Sequence, residues 1–351
     1  MSNIISLNVP PRRQRLSERT QSLVNAFASH RRITDDVFWL KENAELLNIL
    51  ECTGSAVGPA ALQPHQLFYD QLQERLAFFP QYYRFLLSIG LDLEDLGMPG
   101  AQMEQLCHDV ARKGLPDAEL SDLQRAEARR LLARRGVVCA AADPGLDDRL
   151  RAFIGRSDTF ALPNKKAAYE LTHIVFYLSE YGRRDPCLSD AALRSLEYAG
   201  ILAHLDQNID LLAEVCIALQ QARRTPDPIW VNAVRSALAG FEVVEDHDTP
   251  LSDDYHEYLV ATWAVRTLGF DDSGAAVPNG RVVFRHPDCP ASALRPMSAA
   301  LFMAEQARSP QWGHMLDYVF GMMDDDAAAT LEATIASTAE FDAFFEIFAR
   351  A

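Results

Sequence analysis

The residues best suited to chemistry lie in segment 165–182, which reads KKAAYELTHIVFYLSEYG. At 100° per residue, one narrow stripe of a helix collects its phenols, acids and imidazole, while nearly all other positions are apolar. A helix that is apolar over most of its circumference is buried on several sides, so this segment predicts a central helix. The stripe consists of Lys166, Tyr169, Glu170, His173, Tyr177 and Glu180.

Glu170 and His173 are three positions apart, which places a carboxylate beside an imidazole on the same helix face. Di-iron helical bundles use this Glu-x-x-His spacing to bind metal. A second acid-x-x-His pair, Asp253 and His256, opens the apolar segment YHEYLVATW. His256 shares a face with Trp263, and we therefore expect it to point inward.

A third segment, 206–222, carries three acids at successive steps of four: Asp206, Asp210 and Glu214. Their flanking positions are apolar. Carboxylates on an apolar helix are costly to bury unless cations or hydrogen-bond donors meet them. The pattern therefore suggests that these acids have partners on neighbouring helices.

Convergence of these helices would create a polar pocket, and we consider two kinds of chemistry for it. Two imidazoles with carboxylates suit a divalent iron, manganese or zinc ion. Without metal, a His–carboxylate pair would serve as acid and base, with Tyr169 or Tyr177 as a phenolic donor. The metal candidates are Glu170, His173, Asp210, Glu214 and His256, and the catalytic candidates are these five together with Tyr177.

The competing hypothesis is that these polar residues have no chemical role. In that case His173 makes a structural hydrogen bond, and the acids form a solvated face or pair with basic residues such as Lys165. The protein would then be a helical-repeat interaction or scaffold protein whose acidic surface docks a basic partner.

Composition narrows the class of protein. The chain has 351 residues, of which 48% are hydrophobic, and a net charge of -16. Binding to nucleic acid or to anionic membranes requires clustered basic residues, so the charge argues against both. A small-molecule ligand or a protein partner remains. The N-terminus MSNIISLNVPPRRQR lacks an apolar leader, and the six cysteines form no CxxC pair, so we expect a soluble cytoplasmic protein.

Helical periodicity recurs along the whole chain, with about fourteen candidate helices joined by short loops. We therefore predict an all-α fold, a multi-helix α/α array that forms either an orthogonal bundle or a toroid-like barrel. One short β-hairpin near 280–286 is the sole β candidate. Thr34, Ser189 and Ser252 are expected to cap helices. The predicted organisation is a mobile N-terminal arm at 1–15, an N-terminal helical subdomain at 16–145 and a C-terminal helical domain at 146–351.

An arginine-rich helix is predicted at about 120–135. Its wide polar face favours a position on the outside, with the arginines in solvent; an anion or partner site is the alternative. The arginines concerned are Arg125, Arg129, Arg130, Arg134 and Arg135.

Several segments resemble bacterial proteins of unknown function. The pattern consists of YELTHIVFYLSEYG, then DLLAEV and YHEYLV, and the segment VFWLKENAELLNIL resembles alphaproteobacterial hypothetical proteins. The resemblance implies no known activity. The positions that match the pattern are His173, Tyr177, Asp210, Glu214 and His256.

Overall fold

The computed structural model describes residues 14–34, 36–138, 143–248, 250, 252–271, 274–286 and 290–350. Helices make up nearly all of the regular structure in these ranges, and the prediction of an all-α fold is confirmed. None of the helices in the described ranges has the length and apolar character needed to cross a lipid bilayer.

The first part of the chain forms eight α-helices and three short 3₁₀ turns. The helices are α1 (Leu16–Ser29), α2 (Val37–Cys52), α3 (Pro59–Leu62), α4 (Gln66–Asp70), α5 (Leu72–Phe78), α6 (Tyr83–Asp95), α7 (Met103–Arg112) and α8 (Asp122–Ala133). The 3₁₀ turns are Gln63–His65, Pro80–Tyr82 and Leu115–Ala118.

The second part holds the remaining helices. They are α9 (Leu146–Ile154), α10 (Ser157–Phe160), α11 (Lys165–Leu178), α12 (Asp190–Leu205), α13 (Ile209–Gln221), α14 (Pro228–Gly240), α15 (Tyr255–Thr267), α16 (Leu294–Met303), α17 (Trp312–Phe320), α18 (Asp325–Ala336) and α19 (Phe341–Phe348). A further 3₁₀ turn spans Glu305–Ala307.

The described residues also contain one two-stranded antiparallel sheet. It joins β1 (Glu242–Glu245) to β2 (Val282–Arg285), with Val243 opposite Phe284. The predicted β segment is therefore present, but its partner strand lies about forty residues earlier instead of inside 280–286. The chain between the two strands contains α15, so the sheet joins the two ends of this helix-containing segment.

Helix α13 is the most deeply buried of the three helices that carry the candidate site residues. It packs against α11, α12, α14 and α15, and almost every one of its side chains is buried because the helix is apolar all round. The predicted central helix, α11, is one of these neighbours. Its side chains from Leu171 to Leu178 are buried except at His173.

A close approach between α12 and α14 explains the glycine in the middle of α12. A Cβ atom added at Gly200 would lie 2.5 Å from the ring carbons of Trp230, closer than non-bonded carbons can approach. Glycine in a helix interior costs about 1 kcal/mol relative to alanine. At this position the missing side chain makes room for a fully buried indole.

Of the three predicted helix caps, one is present in the structure and two are wrong. Ser189 accepts a hydrogen bond from Ala192 N, as expected for the cap of α12. Asp36, and not Thr34, caps α2 by accepting from Phe38 N, and α15 begins after Asp254 without a side-chain cap. Ser252 is not used because Asp253 directs the local chain toward the sheet: its carboxylate accepts from Phe284 N and pairs with the buried Arg31.

The predicted boundary near 145 stays a prediction. Across it, α8 packs against α11 and α2 packs against α15. Residues 1–13 of the predicted mobile arm lie outside the described residues. Gln14, next to last in that arm, exchanges two hydrogen bonds with the backbone of Val277.

The arginines of α8 and of the residues just after it do not all lie in solvent, contrary to the prediction. Arg134 pairs with the buried Asp92, and Arg130 is buried. The reason is that α8 packs against α6 and α11, so one side of its polar face points into the protein. Arg129 remains half-exposed and pairs with Asp147.

Candidate functional site

Asp210 and His256 meet where the first turns of α13 and α15 face each other. The Nδ1 atom of His256 lies 2.8 Å from Oδ1 of Asp210 and 3.0 Å from Oδ2. The start of α13 is held by the side chain of Asn208, which accepts from Leu211 N. Capping therefore determines where Asp210 projects from the helix.

Helix α11 contributes a phenol to the same carboxylate. Tyr169 donates from its hydroxyl to Oδ2 of Asp210 at 2.9 Å. Burial by itself would raise the pKa of Asp210, but the hydrogen bond and charge of His256, assisted by Tyr169, hold that pKa below its ordinary value. Burial and the charge of Asp210 raise the pKa of Tyr169, which keeps its proton and acts as a donor.

Glu45 on α2 is a member of this network that the sequence analysis did not identify. One of its oxygens lies 3.8 Å from Nε2 of His256, and the other accepts from the hydroxyl of Tyr255. Burial would lower the pKa of His256, but the carboxylates of Glu45 and Asp210 raise it to about 10. Glu45 was detectable in principle as an acid among the apolar residues of α2.

Glu214 lies one helical turn after Asp210 and is fully buried. Oε2 accepts a hydrogen bond of 2.5 Å from the hydroxyl of Thr172 and lies 3.5 Å from Nδ1 of His173. Burial raises the pKa of Glu214, and the negative charge of Asp210 raises it further. The carboxyl group is thus held in an environment that disfavours its charge.

The ring of His173 has a defined tautomer. Its Nδ1 atom lies 2.8 Å from the backbone oxygen of Tyr169, and a carbonyl oxygen only accepts, so Nδ1 carries the hydrogen. In the neutral ring, Nε2 is then an unprotonated acceptor. The side chain is 36% exposed, so this residue lies at the boundary between the buried acids and solvent.

Glu214 differs from the other buried acids in its partners. Glu42, Asp92 and Glu214 are the buried carboxylates among the described residues. Glu42 pairs with two arginines and Asp92 with one, whereas Glu214 has neither arginine nor lysine as a partner among the residues that the structure describes. Among the described residues, its charge is compensated by the hydroxyl of Thr172, the imidazole of His173 and the charge of His256.

Asp210, Glu214 and His256 together form what we call the Asp–Glu–His cluster. Each offers one ligand atom, and these three atoms all lie within 4.8 Å of one another. His173 adjoins the cluster through Glu214. Four of the five metal candidates from the sequence, all except Glu170, are thus neighbours in the structure.

The chain matches a family model over its full length. That model is described as a domain of unknown function, DUF6902, and it covers residues 1–351. The chain belongs to the DUF6902 family. Searches of curated proteins and of solved structures returned no match. The resemblance to a family of unknown function is confirmed, and it assigns no activity.

The remaining candidates of this DUF6902 protein lie apart from the Asp–Glu–His cluster. Glu170 makes no hydrogen bond or ion pair with any described residue, and Asp253 is committed to Arg31. Neither acid-x-x-His pair therefore acts as a unit. Asp206 pairs with Lys165 at the surface, and the ring of Tyr177 faces α8.

Proposed function

We propose that the Asp–Glu–His cluster binds one divalent transition-metal ion and that the protein is an enzyme that acts on a small molecule at this ion. The observation that carries the proposal is the close grouping of three ligand atoms around a buried carboxylate that has neither arginine nor lysine as a partner among the described residues. A divalent cation would compensate that charge directly.

The donor set suits iron, manganese or zinc. One imidazole and two carboxylates are ligands that these ions accept, and the sequence already pointed to the same metals. The neighbouring His173 donates from Nδ1–H to a backbone carbonyl, so Nε2 carries the lone pair of the neutral ring. His173 lies outside the group of three ligand atoms, and we assign it the role of a proton acceptor beside the metal ion.

Access by a small molecule distinguishes this site from a closed structural metal site. The side chains of His256, Asp210 and His173 are 29%, 19% and 36% exposed, whereas Glu214 is shut off from solvent. Catalytic sites keep a coordination position open for water or substrate. A bound metal would supply Lewis acidity there, and Tyr169 and His173 would hold or accept protons beside it.

A metal-free acid–base site is the second candidate, and one contact favours it. Asp210 orients His256 through Nδ1 at 2.8 Å, the arrangement by which a carboxylate positions an imidazole in hydrolytic enzymes. Against it, the pKa of His256 at about 10 keeps the ring protonated at neutral pH and unable to act as a base. We therefore favour the metal site over the metal-free acid–base site.

Metal analysis tests the proposal. Protein purified without chelator, or reconstituted anaerobically with Fe(II), Mn(II) or Zn(II), is expected to hold about one ion per chain by mass spectrometry of the elements. The variants Asp210→Asn and His256→Gln should lose that ion. Asp206→Asn is the matched control, because this acid lies on the same stripe but pairs with Lys165.

The open coordination position needs a separate measurement. In the Co(II)-substituted protein, azide should change the visible absorption of the metal, since a catalytic site leaves room for an external ligand. A protein that stays metal-free under all these conditions would disprove the metal site. If azide does not change the visible absorption of the bound Co(II) ion, the proposal that the protein is an enzyme acting at this ion is disproved.

A further inference from the structure

Arg130 is unusual among the arginines of this region. Arg125, Arg129 and Arg134 each pair with an acid, but Arg130 has no hydrogen bond or ion pair to any residue within the described ranges. It is only 9% exposed, and its Nε atom is shut off from solvent without a partner. The charge of Arg130 acts on the nearby Asp92, but that carboxylate is paired with Arg134. A buried guanidinium with no hydrogen-bonded carboxylate is costly, and we expect such a group where a ligand supplies the acceptor.

Two aromatic rings flank the guanidinium of Arg130. Its central carbon lies 4.5 Å from the ring centre of Tyr181 and 5.9 Å from that of Tyr177. Tyr181 is itself stacked on Trp263, with centroids 5.8 Å apart and planes at 27°. Ring faces stabilise the cation but offer no acceptors to its N–H groups. The arginine is held in place, and its terminal N–H groups make no hydrogen bond to any described residue.

The two phenols beside Arg130 are also without partners. The hydroxyls of Tyr177 and Tyr181 make no hydrogen bond with any residue that the structure describes. Burial raises the pKa of both phenols, so each keeps its proton at neutral pH. Arg130 is thus flanked by two phenols whose hydroxyl groups keep their protons and can donate.

The nearby carboxylates are committed to other arginines. Glu127 and Asp92 act electrostatically on the two phenols, and Glu51 acts on the neighbouring Cys52. Each acid has its own ion pair: Glu51 with Arg183, Asp92 with Arg134, and Glu127 with Arg84. The thiol of Cys52 lies nearby as well, and burial raises its pKa, so it stays uncharged. None of these groups accepts a hydrogen bond from Arg130.

The backbone that carries Tyr181 is strained. Glu180, Tyr181 and Gly182 follow α11 with φ angles of 49°, 56° and 87°, three left-handed residues in a row of which only the last is glycine. Each non-glycine residue in this conformation costs about 1 kcal/mol or more, and such strain persists where the surrounding structure imposes it. Here it positions the ring of Tyr181 over Arg130.

We infer that Arg130, Tyr177 and Tyr181, which we call the arginine–tyrosine site, bind the anionic oxygen group of a small molecule, a carboxylate or a phosphate. The planar guanidinium can donate two parallel hydrogen bonds to such a group, and the phenols can donate to its remaining lone pairs. The aromatic wall of Tyr181 and Trp263 would contact the apolar body of the same molecule.

His173 connects this site to the Asp–Glu–His cluster. Its ring lies 6.2 Å from that of Tyr177, and its Nδ1 atom lies 3.5 Å from Glu214. A molecule anchored by its anionic group at Arg130 would extend toward His173. The role of the anion as part of a substrate rests on the proposed function, whereas anion binding itself does not.

Anion binding to chelator-treated protein tests the inference. Acetate, benzoate and inorganic phosphate are titrated at constant ionic strength set with chloride, and the melting temperature and tryptophan fluorescence are recorded. At least one of the three should bind saturably. Arg130→Met should weaken its binding about tenfold or more, because a charge-assisted bidentate contact is lost.

Two controls separate this role from a structural one. Arg129→Met, at the adjacent half-exposed position paired with Asp147, should leave anion affinity within about twofold. Without anion, Arg130→Met should melt at the same or a higher temperature, since a buried cation with no hydrogen-bonded carboxylate is removed. Tyr177→Phe and Tyr181→Phe, which preserve the rings, should each weaken anion binding several-fold.

The outcomes for the two proposals are distinguishable. Anion binding that is unchanged in Asp210→Asn and in metal-free protein supports the arginine–tyrosine site whatever the metal analysis shows. A protein that binds metal but no anion overturns this inference alone. Equal anion binding by the wild type and Arg130→Met, or a lower melting temperature of Arg130→Met without anion, also overturns it.

Discussion

The Nδ1 atom of His256 lies 2.8 Å from a carboxylate oxygen of Asp210, although 46 positions separate the two residues. The contact exists because α13 and α15 pack side by side with their first turns together. It places an imidazole between the carboxylates of Asp210 and Glu45, while Glu214 remains buried one turn below. The chemistry of the cluster follows from this placement.

Glu214 should be dispensable for stability. We expect Glu214→Gln to leave the free energy of unfolding of the metal-free protein unchanged or raise it by about 1–2 kcal/mol, because a buried carboxyl group with no arginine or lysine partner among the described residues becomes a neutral amide. Glu42→Gln should lower it by about 3–5 kcal/mol, since Arg31 and Arg32 lose their shared carboxylate. Urea unfolding at pH 7 measures both. Equal losses in the two variants would mean that Glu214 has a structural role.

Metal affinity should depend on pH through His256. In the metal-free protein the pKa of this ring is about 10, so a metal ion must displace its proton to bind. Release of one proton makes affinity rise about tenfold for each pH unit below that pKa. We expect about tenfold tighter binding at pH 7.5 than at pH 6.5.

Glu45→Gln supplies the control for that experiment. Loss of this carboxylate, 3.8 Å from Nε2, lowers the pKa of His256 and should strengthen metal binding at pH 6.5. Calorimetric titration in buffers of different ionisation enthalpy would count the released protons. A metal affinity that does not change with pH would exclude His256 as a ligand.

Acid should destabilise the protein through His65. This side chain is fully buried, bonded to Asn43, and burial lowers its pKa to about 4. The unfolded chain, with a histidine pKa near 6.5, therefore binds more protons between those values, and stability falls as the pH is lowered through this window. The loss attributable to His65 amounts to about 3 kcal/mol at pH 4.

His65→Gln should make the acid-dependent loss of unfolding free energy shallower between pH 6.5 and 4. The exposed His108→Gln serves as the comparison and should keep the wild-type profile. Denaturant titrations at several pH values provide the curve. If His65→Gln follows the wild-type profile in this window, its burial does not govern acid stability.

Gly200 should not tolerate a methyl group. Gly200→Ala would place Cβ against the ring of Trp230, and we expect a loss of about 1–3 kcal/mol in the free energy of unfolding. Gly313→Ala, on an exposed position of α17 with open space around it, should be neutral or slightly stabilising. Melting temperatures would show this contrast. A stable Gly200→Ala protein would mean that α12 and α14 are not packed this closely.

Much of the fold was predictable because helices leave local signals. The apolar period of each segment, together with caps such as Ser189, located the helices within a few residues. The partner of β2 was not predictable, since the pairing of β1 with β2 joins segments on either side of α15. The cap of α15 was mispredicted because Asp253 is used for a distant contact with Arg31.

The site was predictable in its residue types and less so in its grouping. His173, Asp210, Glu214 and His256 lie on inward faces and become neighbours, as the stripes suggested. Glu170 shares the stripe of His173 yet has no polar partner among the described residues, and Tyr177 joins Arg130 instead. Glu45 belongs to α2, a helix in which the sequence analysis identified no candidate site residue.

The sequence by itself determined the helices and the polar residues that each helix directs inward, because both follow from a period of 3.6 residues. Only the tertiary structure decided that Asp210 would meet His256. It also decided that, among the described residues, Glu214 would have no arginine or lysine partner and Arg130 would be buried without a paired carboxylate. The physical reason is that local periodicity specifies the face of a helix, whereas the packing of distant helices specifies which faces meet.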